Sequence, residues 1–177
     1  MTLDRQPMLE GELVSVRPLR DEDFDALWAI SSDPLLWEQH PAKERATAMG
    51  FERWFDDARA SGGALTVIDR ADGQVIGTSR YDHHDPDASE VEIGWTFIAR
   101  SHWGTPSNAD LKRVMLDHAF GSVDTVVFRV HGENLRSQRA VEKLGATRSA
   151  TELDPRGFGE VVVFRLERAV PRASWGG

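Results

Sequence analysis

Apolar positions along the chain change their period several times, and each change marks the start of a predicted element. An alternating run from Gly11 predicts a short strand through Arg17. Two stretches with helical spacing follow, one that ends before Pro34 and one over 45–63 that closes on a pair of glycines. The first third of the chain is therefore predicted to hold one strand and two helices.

The middle of the chain has the alternating period of strands. Residues 64–82 form two strand-like runs around Asp72 and Gly73, a pair that favours a hairpin turn. A third run over 89–99 predicts another strand after a polar loop. Strict alternation would divide this strand between two faces, with Glu92, Gly94 and Thr96 on one and Ile93, Trp95 and Phe97 on the other.

The last part of the chain returns to helical spacing and then alternates again. A helix over 108–120 precedes an apolar run over 124–131, which is typical of a strand buried on both sides. A second helix over 134–146 is followed by two closing strands. This order predicts an α+β fold, with a mixed, mainly antiparallel sheet of six to seven strands and helices on both faces.

Composition narrows the class of protein. The 177 residues suit one domain, expected over 1–170, with a loose C-terminal tail over 171–177. A net charge of −8 disfavours a nucleic-acid partner, and no apolar run is long enough to favour a membrane partner. The absence of cysteine excludes disulfides and thiolate nucleophiles and fits the cytoplasm, which is the expected location. We expect the protein to be a monomer or a homodimer.

A polar loop, "SHWGTPS" over 101–107, lies where a strand is predicted to lead into a helix. Unpaired N–H groups and the positive end of the helix dipole converge at such a place, so the loop suits a pyrophosphate. A simpler interpretation is a helix cap without a ligand. Ser107 as the N-cap with Asp110 three residues later is close to a capping box.

Two stretches, "VEIGWTFIARSHWGTPSNADLKR" and "VFRVHGENLRSQRAVEKLGA", resemble the GNAT acetyltransferases, most closely their RimJ/RimL-like branch of ribosomal-protein N-terminal acetyltransferases. The resemblance covers nearly the whole chain. It implies a GNAT-like sheet whose strands splay at the centre. It also implies direct acetyl transfer from acetyl-CoA to a primary amine, without a metal. The acceptor would be a protein N-terminal amine; alternatives are an amino acid, polyamine or aminoglycoside, or a CoA-binding regulator without turnover.

The resemblance implies a cofactor site for acetyl-CoA. Three of its residues, Phe97, Ile98 and Ala99, would bind the pantetheine arm through their backbone. The remaining residues would bind the phosphates and the end of the arm: Trp103, Gly104, Thr105, Ser107, Asn108, Ala109, Lys112, Asn134 and Ser137. Pro106 stands where the family has glycine, and because proline lacks an N–H, one phosphate donor is missing.

Two residues are candidates for catalysis on the same resemblance. Glu92 would take a proton from the acceptor amine, with a cross-strand charge partner as the alternative interpretation. Ser137 would assist the leaving thiol, because Val141 stands where family members often carry tyrosine. Asn134 and Ser137 would otherwise be only an N-cap and a small packing residue.

The acceptor would lie in the region where the family that the chain resembles forms its acceptor site. Its predicted wall consists of Trp37, His40, Tyr81 and His83. His40 is also an alternative base, whereas Trp28 fits the core better. Adjacent histidines in an extended chain point in opposite directions, so His83 and His84 do not predict a metal site.

Overall fold

The computed structural model describes residues 2–154 and 157–169, so the predicted tail over 171–177 lies outside the described residues. Short 3-10 turns precede α1, α2 and α3. In chain order the elements are β1 (Leu9–Glu10), β2 (Val14–Pro18), α1 (Phe24–Ser31), α2 (Ala48–Ala60), β3 (Ala64–Asp69), β4 (Val75–Asp85), β5 (Glu90–Ile98), α3 (Ser107–Phe120), β6 (Thr125–His131), α4 (Leu135–Lys143), β7 (Thr147–Leu153) and β8 (Glu160–Glu167).

The strands form one open sheet in the order β1-β2-β3-β4-β5-β6-β8-β7. Every neighbouring pair is antiparallel except β5 and β6, which run parallel. The predicted α+β fold with a mixed, mainly antiparallel sheet is confirmed. The sheet has eight strands rather than six to seven, because β1 pairs with β2 over only two residues, too few to show a period in the sequence.

Two separate hydrophobic clusters cover the two faces of the sheet. One joins α3 and α4 to the sheet through residues such as Met115, Val141 and Phe128. The other joins α1 and α2 to it, with Leu27 and Phe51 among its buried members. The predicted helices on both faces are therefore confirmed, and each face has its own core.

The parallel strands β5 and β6 pair for only three residues. Their last registered pair joins Glu92 to Val127, and beyond it the two strands separate into a fork. The N–H and C=O groups along the inner edges of the fork have no partner strand. The centre of the sheet is thus open at the carboxyl ends of both strands, as the splayed centre implied by the GNAT resemblance requires.

A β-bulge interrupts β5 just beyond the fork. Arg80 of β4 pairs with Gly94, whereas Thr78 pairs with Phe97, so β5 carries one extra residue, and Trp95 has a φ of +51°. The bulge reverses which face the following side chains occupy. Strict alternation predicted along this strand is therefore wrong: Ile93 packs on the α3 side, but Phe97 packs with α2.

Helix α3 begins without the predicted capping box. Its N-cap is Pro106, whose side chain makes no capping bond, and Ser107 is the first helical residue. The Asp110 carboxylate instead accepts hydrogen bonds from the backbone N–H groups of Leu13 and Val14, at 2.8 and 3.1 Å. Those bonds fix the start of α3 to the turn between β1 and β2, far away in sequence.

Replacing Asp110 with Ala should lower the free energy of unfolding at pH 7 by about 1–3 kcal/mol, because the buried N–H of Val14 and the partly buried N–H of Leu13 lose their acceptor. Burial raises the pKa of Asp110, but the bonds from Leu13, Arg113 and Val14 outweigh it and hold the pKa below its usual value. The stabilisation is present above the unfolded pKa and is lost as pH falls through the folded one. Urea unfolding from pH 7 down to pH 3 measures both effects.

Asp117→Ala is the matched control, since Asp117 lies on the same helix and is exposed. We expect it to change stability by less than about 0.5 kcal/mol. Equal losses from the two substitutions would contradict a specific role for Asp110 in holding α3 against the β1–β2 turn.

Candidate active site

A cleft with a volume of about 740 Å³ opens at the fork between β5 and β6. Its walls are the diverging ends of the two strands, the loop before α3, the first turns of α3 and α4, and the 3-10 segments that precede α2. Because the strands separate here, their backbone polar groups face a ligand space rather than one another. This is the place in the fold where an extended ligand can lie between two strands.

The loop before α3 forms one end of the cleft. Of the residues predicted to bind the cofactor here, Trp103, Gly104, Thr105, Asn108 and Ala109 line the cleft, whereas Ser107 is buried beside Thr105 and is not part of the wall. Gly104 has a φ of +75°, and a Cβ added there would lie in open space, with no atom within 4 Å.

Pro106 fits the loop without backbone strain. Its φ of −69° and ψ of −5° are ordinary for proline, so the substitution for glycine removes only the N–H group. The indole N–H of Trp103 donates to the Ile98 carbonyl at 3.0 Å, and the Arg136 guanidinium lies 3.7 Å from the Trp103 ring centroid. The loop is therefore held against β5 on one side and α4 on the other.

The predicted pantetheine residues divide into two groups. Phe97, Ile98, Asn134 and Ser137 line the cleft. Ala99 does not, since its N–H already donates to the Ile76 carbonyl at 2.8 Å. The Asn134 side chain accepts a hydrogen bond from the Ser137 N–H at 3.2 Å, which makes Asn134 the N-cap of α4 and places both residues at the mouth of the fork.

Glu92 lies at the apex of the fork, and its side chain is 5% exposed. Its Oε2 atom is 2.6 Å from the Arg129 guanidinium of β6 and 2.8 Å from Nδ1 of His83 on β4. The other oxygen lies on the Gly94 side, where an added Cβ at Gly94 would be 3.4 Å from Oε1. Gly94 lines the cleft and Glu92 does not, so the carboxylate lies just behind the wall.

The predicted acceptor residues do not lie together. Trp37 and His40 line the cleft, with their ring centroids 5.5 Å apart. Tyr81 is fully buried in the core, where its hydroxyl donates to the Met115 carbonyl at 2.6 Å, and burial strongly raises its pKa. His83 is largely exposed beside Glu92 and is also absent from the wall. The alternation of apolar and polar residues along a strand does not distinguish a buried tyrosine from one that faces a cleft.

Lys112 lines the cleft from the α3 side and is 7% exposed. Its Nζ donates to the Thr96 hydroxyl at 2.8 Å and lies 5.9 Å from the Phe128 ring centroid. Burial lowers the pKa of Lys112 to about 7. Sequence reasoning missed Thr96 as its partner, because the bulge that turns Thr96 towards α3 has no signal in the sequence.

The cleft carries a charge opposite to that of the whole chain. Among the described residues that line it, none is Asp or Glu. Six are Lys or Arg: Arg45, Lys112, Arg129, Arg136, Arg139 and Lys143. A concentration of positive charge in a protein of net charge −8 favours an anionic ligand, since oriented cations raise the local potential.

Comparisons with known proteins identify the family to which this cleft belongs. Residues 14–147 match the family described as the acetyltransferase (GNAT) domain. This chain belongs to the GNAT acetyltransferases. The match spans both arms of the fork, the loop and helices α1 to α4, so this GNAT enzyme is an acetyl-CoA-dependent N-acetyltransferase and the cationic cleft fits the phosphates of its co-substrate.

Solved structures share the fold of this GNAT chain. A GCN5-related N-acetyltransferase from Brucella melitensis has a TM-score of 0.81 and 23% identity, with 92% of this chain and 79% of that chain covered. An acetyltransferase from Agrobacterium tumefaciens str. C58 has a TM-score of 0.68 and 26% identity, covering 92% and 95%. RimJ from Mycobacterium smegmatis, in complex with CoA-disulfide, has a TM-score of 0.67 and 18% identity, covering 91% and 86%. No curated protein matches the sequence.

Two further classes of feature were sought in the part of this GNAT chain that the structure describes. Within residues 2–154 and 157–169, no group of three or more acidic, histidine or cysteine side chains comes together to hold a metal ion. None of the helices described there is both long enough and apolar enough to cross a membrane.

Replacing Pro106 with Ala should tighten CoA binding about ten-fold, or about 1.4 kcal/mol, because it adds one N–H donor beside Gly104 at the start of α3. Alanine adopts the φ and ψ of Pro106 without strain, so the loop keeps its shape. Calorimetric titration with CoA measures the change. Pro34→Ala is the control, because Pro34 is exposed at the start of its 3-10 turn and does not itself line the cleft, so this variant should bind as the wild type does. An unchanged Kd for Pro106→Ala would show that no phosphate lies at this end of the loop.

Proposed function

We propose that this enzyme transfers the acetyl group of acetyl-CoA directly to the N-terminal α-amine of a protein. The observation that carries the proposal is the charge of the cleft, which has six Lys and Arg side chains among its described lining residues and no carboxylate. The phosphates of acetyl-CoA are attracted to such a site. The acceptor enters the same positive electrostatic potential, so it must itself carry little positive charge.

The absence of carboxylates among those lining residues bears on the choice of acceptor. Polyamines and aminoglycosides carry several ammonium groups, which a cationic cleft repels unless Asp or Glu side chains pair with them. A protein α-amine has a pKa of about 8, so at neutral pH it carries at most one charge and is partly neutral. Likeness of fold to RimJ from Mycobacterium smegmatis gives further support, and the lack of cysteine suits reaction in the cytoplasm.

Glu92 is the base in this proposal. Arg129 and His83 hold its Oε2 atom, and Oε1 lies beside Gly94 at the edge of the cleft. An ordered water next to Gly94 would bring the proton of the acceptor amine within reach of Oε1. The cross-strand ion pair with Arg129 is compatible with this role, because it fixes the carboxylate at one oxygen and leaves the other on the cleft side.

Direct transfer needs few other groups. The acceptor nitrogen attacks the carbonyl carbon of the thioester, the C–S bond breaks, and CoA leaves as its thiol. Backbone N–H groups of β5 beyond the bulge are placed to stabilise negative charge on the carbonyl oxygen. In this proposal Asn134 and Ser137 hold the pantetheine arm and Trp37 and His40 form the acceptor wall, and all four line the cleft.

A panel of amines tests the acceptor. Peptides with a free N-terminal amine should be acetylated, whereas the same peptides blocked at the N-terminus but carrying an internal lysine should react at least about 100-fold more slowly, because the ε-amine pKa of about 10.4 keeps it charged. Spermidine and an aminoglycoside should also be poor acceptors. Mass spectrometry of the products measures the site of acetylation. Preferred turnover of spermidine would overturn the choice of a protein N-terminus.

Glu92→Gln should lower kcat about 100-fold while leaving the affinity for CoA unchanged, because glutamine keeps the shape but cannot accept a proton. Glu152→Gln is the matched control. Glu152 also contacts Arg129, at 3.4 Å, but it lies on β7 outside the cleft, so its variant should retain wild-type turnover. Equal rates for the wild type and both variants would show that Glu92 is only an ion-pair partner of Arg129.

A further inference from the structure

The Lys112 ammonium lies at the apex of the fork rather than at the phosphate loop. Its two described contacts are the Thr96 hydroxyl on β5, at 2.8 Å, and the Phe128 ring on β6, at 5.9 Å. Phe128 directly follows Val127, which makes the last pair with β5. Lys112 therefore bridges the two arms of the fork where they begin to separate.

The bulge in β5 is the reason that this contact exists. Without the extra residue, Thr96 would share a face with Glu92, as strict alternation predicts. With it, Thr96 turns towards α3, where Lys112 projects from the second turn of the helix. Thr96 also contacts the Ser79 hydroxyl at 2.8 Å, so the acceptor of the lysine proton is itself fixed.

A buried lysine without a carboxylate partner is unfavourable for stability, so its position calls for an explanation. Burial is the only cause of its lowered pKa, about 7. The other titratable side chains that line the cleft are all Arg, Lys or His: His40 and Arg45 before α2, His102 before α3, Arg129 and His131 on β6, and Arg136, Arg139 and Lys143 on α4. Towards β1 and β2, the polar contacts of α3 are made by Asp110, whose carboxylate accepts hydrogen bonds from the N–H groups of Leu13 and Val14.

Lys112 and Glu92 lie on opposite sides of the sheet. Val91 and Ile93 belong to the core on the α3 side, so Glu92 between them faces the α1 and α2 side. Lys112 approaches the same apex from α3. An acceptor that enters beside Trp37 would meet Glu92, and the sulfur that departs would meet the lysine.

We propose that Lys112 is the acid that protonates the departing thiolate of CoA, an inference that rests on the direct transfer proposed above. A tyrosine hydroxyl is not available for this step at α4, where Val141 lines the cleft. The nitrogen of the acceptor forms a bond to the carbonyl carbon, the electron pair of the C–S bond passes to sulfur, and a proton from Lys112 Nζ follows it. Lys112 is left as a neutral amine and regains a proton from solvent, while the proton of the acceptor leaves through Glu92.

The acidity of the two groups suits this transfer. A thiol has an ordinary pKa of about 8.5, above the value of about 7 for Lys112, so the proton moves to sulfur spontaneously. An exposed lysine with a pKa near 10.4 would hold its proton instead. Burial of Lys112 without a carboxylate thus gives the ammonium the strength that the step requires.

Two acyl donors separate this role from phosphate binding. S-acetylpantetheine has the thioester and the arm of acetyl-CoA but lacks its nucleotide phosphates. Lys112→Met and Lys112→Arg should each lower kcat about 100-fold with both donors, because arginine keeps the charge but does not release its proton. If Lys112 binds only phosphate, Lys112→Arg should retain activity and turnover of S-acetylpantetheine should be unchanged in both variants; either result would overturn the proposal.

The pH dependence of kcat is a second measurement, and it would not change if Lys112 had only a structural role. With the wild type, kcat should decline as pH rises above about 7, because the ammonium loses its proton. Lys112→Met should lose this decline. Lys43→Met, an exposed lysine before α2, should keep both the rate and the profile of the wild type. A decline that persists in Lys112→Met would assign it to another group and contradict the role of Lys112.

A third readout needs no acceptor. The thiol of CoA bound to the wild type should ionise at a lower pH than in Lys112→Met, since an N–H of the neutral Lys112 amine can donate a hydrogen bond to the thiolate and methionine cannot, and ultraviolet absorbance of the thiolate records the titration. If no peptide is acetylated but this difference is present, the proposed acceptor is wrong and Lys112 still faces the sulfur. If peptides are acetylated and the two titrations coincide, the acceptor stands and the role of Lys112 is overturned.

Discussion

The site depends on one feature of the sheet, the early end of pairing between the parallel strands β5 and β6. After Glu92 and Val127 the two strands have no hydrogen bonds to each other, although both continue for several residues. Unpaired backbone groups are unfavourable when buried, so a fork of this kind persists only where helices hold the two arms apart and a ligand or water meets their polar edges. Here α3 and α4 pack on the arms through their own core.

The bulge at Trp95 adds a second constraint to the fork. By inserting one residue it turns Thr96 towards α3 and Phe97 towards α2, so each face of the sheet receives a different chemical group at the apex. The positive φ of Trp95 is unusual for a bulky residue and requires support from its surroundings. The Arg80 guanidinium, 4.6 Å from the Trp95 ring centroid and paired with Asp57 of α2, provides such support.

Much of the fold could be predicted from the order and period of the apolar residues. The strand and helix order and the mixed sheet follow from local patterns, as does the polar loop before α3, where Gly104 and Asn108 line the cleft. The errors come from interactions between distant residues. Asp110 bonds to the turn before β2 rather than capping its own helix, and Tyr81 bonds to α3 in the core. The bulge in β5 has no local signal, since neither glycine nor proline stands at Trp95.

In the proposed site, the cations of the cleft would compensate for the one N–H donor that Pro106 removes from the loop. A single backbone N–H contributes one hydrogen bond to a phosphate, whereas a guanidinium or an ammonium acts over several ångströms and does not require one fixed position. Arg136 is already held against Trp103, so its charge is placed beside the loop at little entropic cost when a phosphate arrives. None of the described residues that line the cleft is acidic, so the positive potential of the cleft persists in a chain of net charge −8.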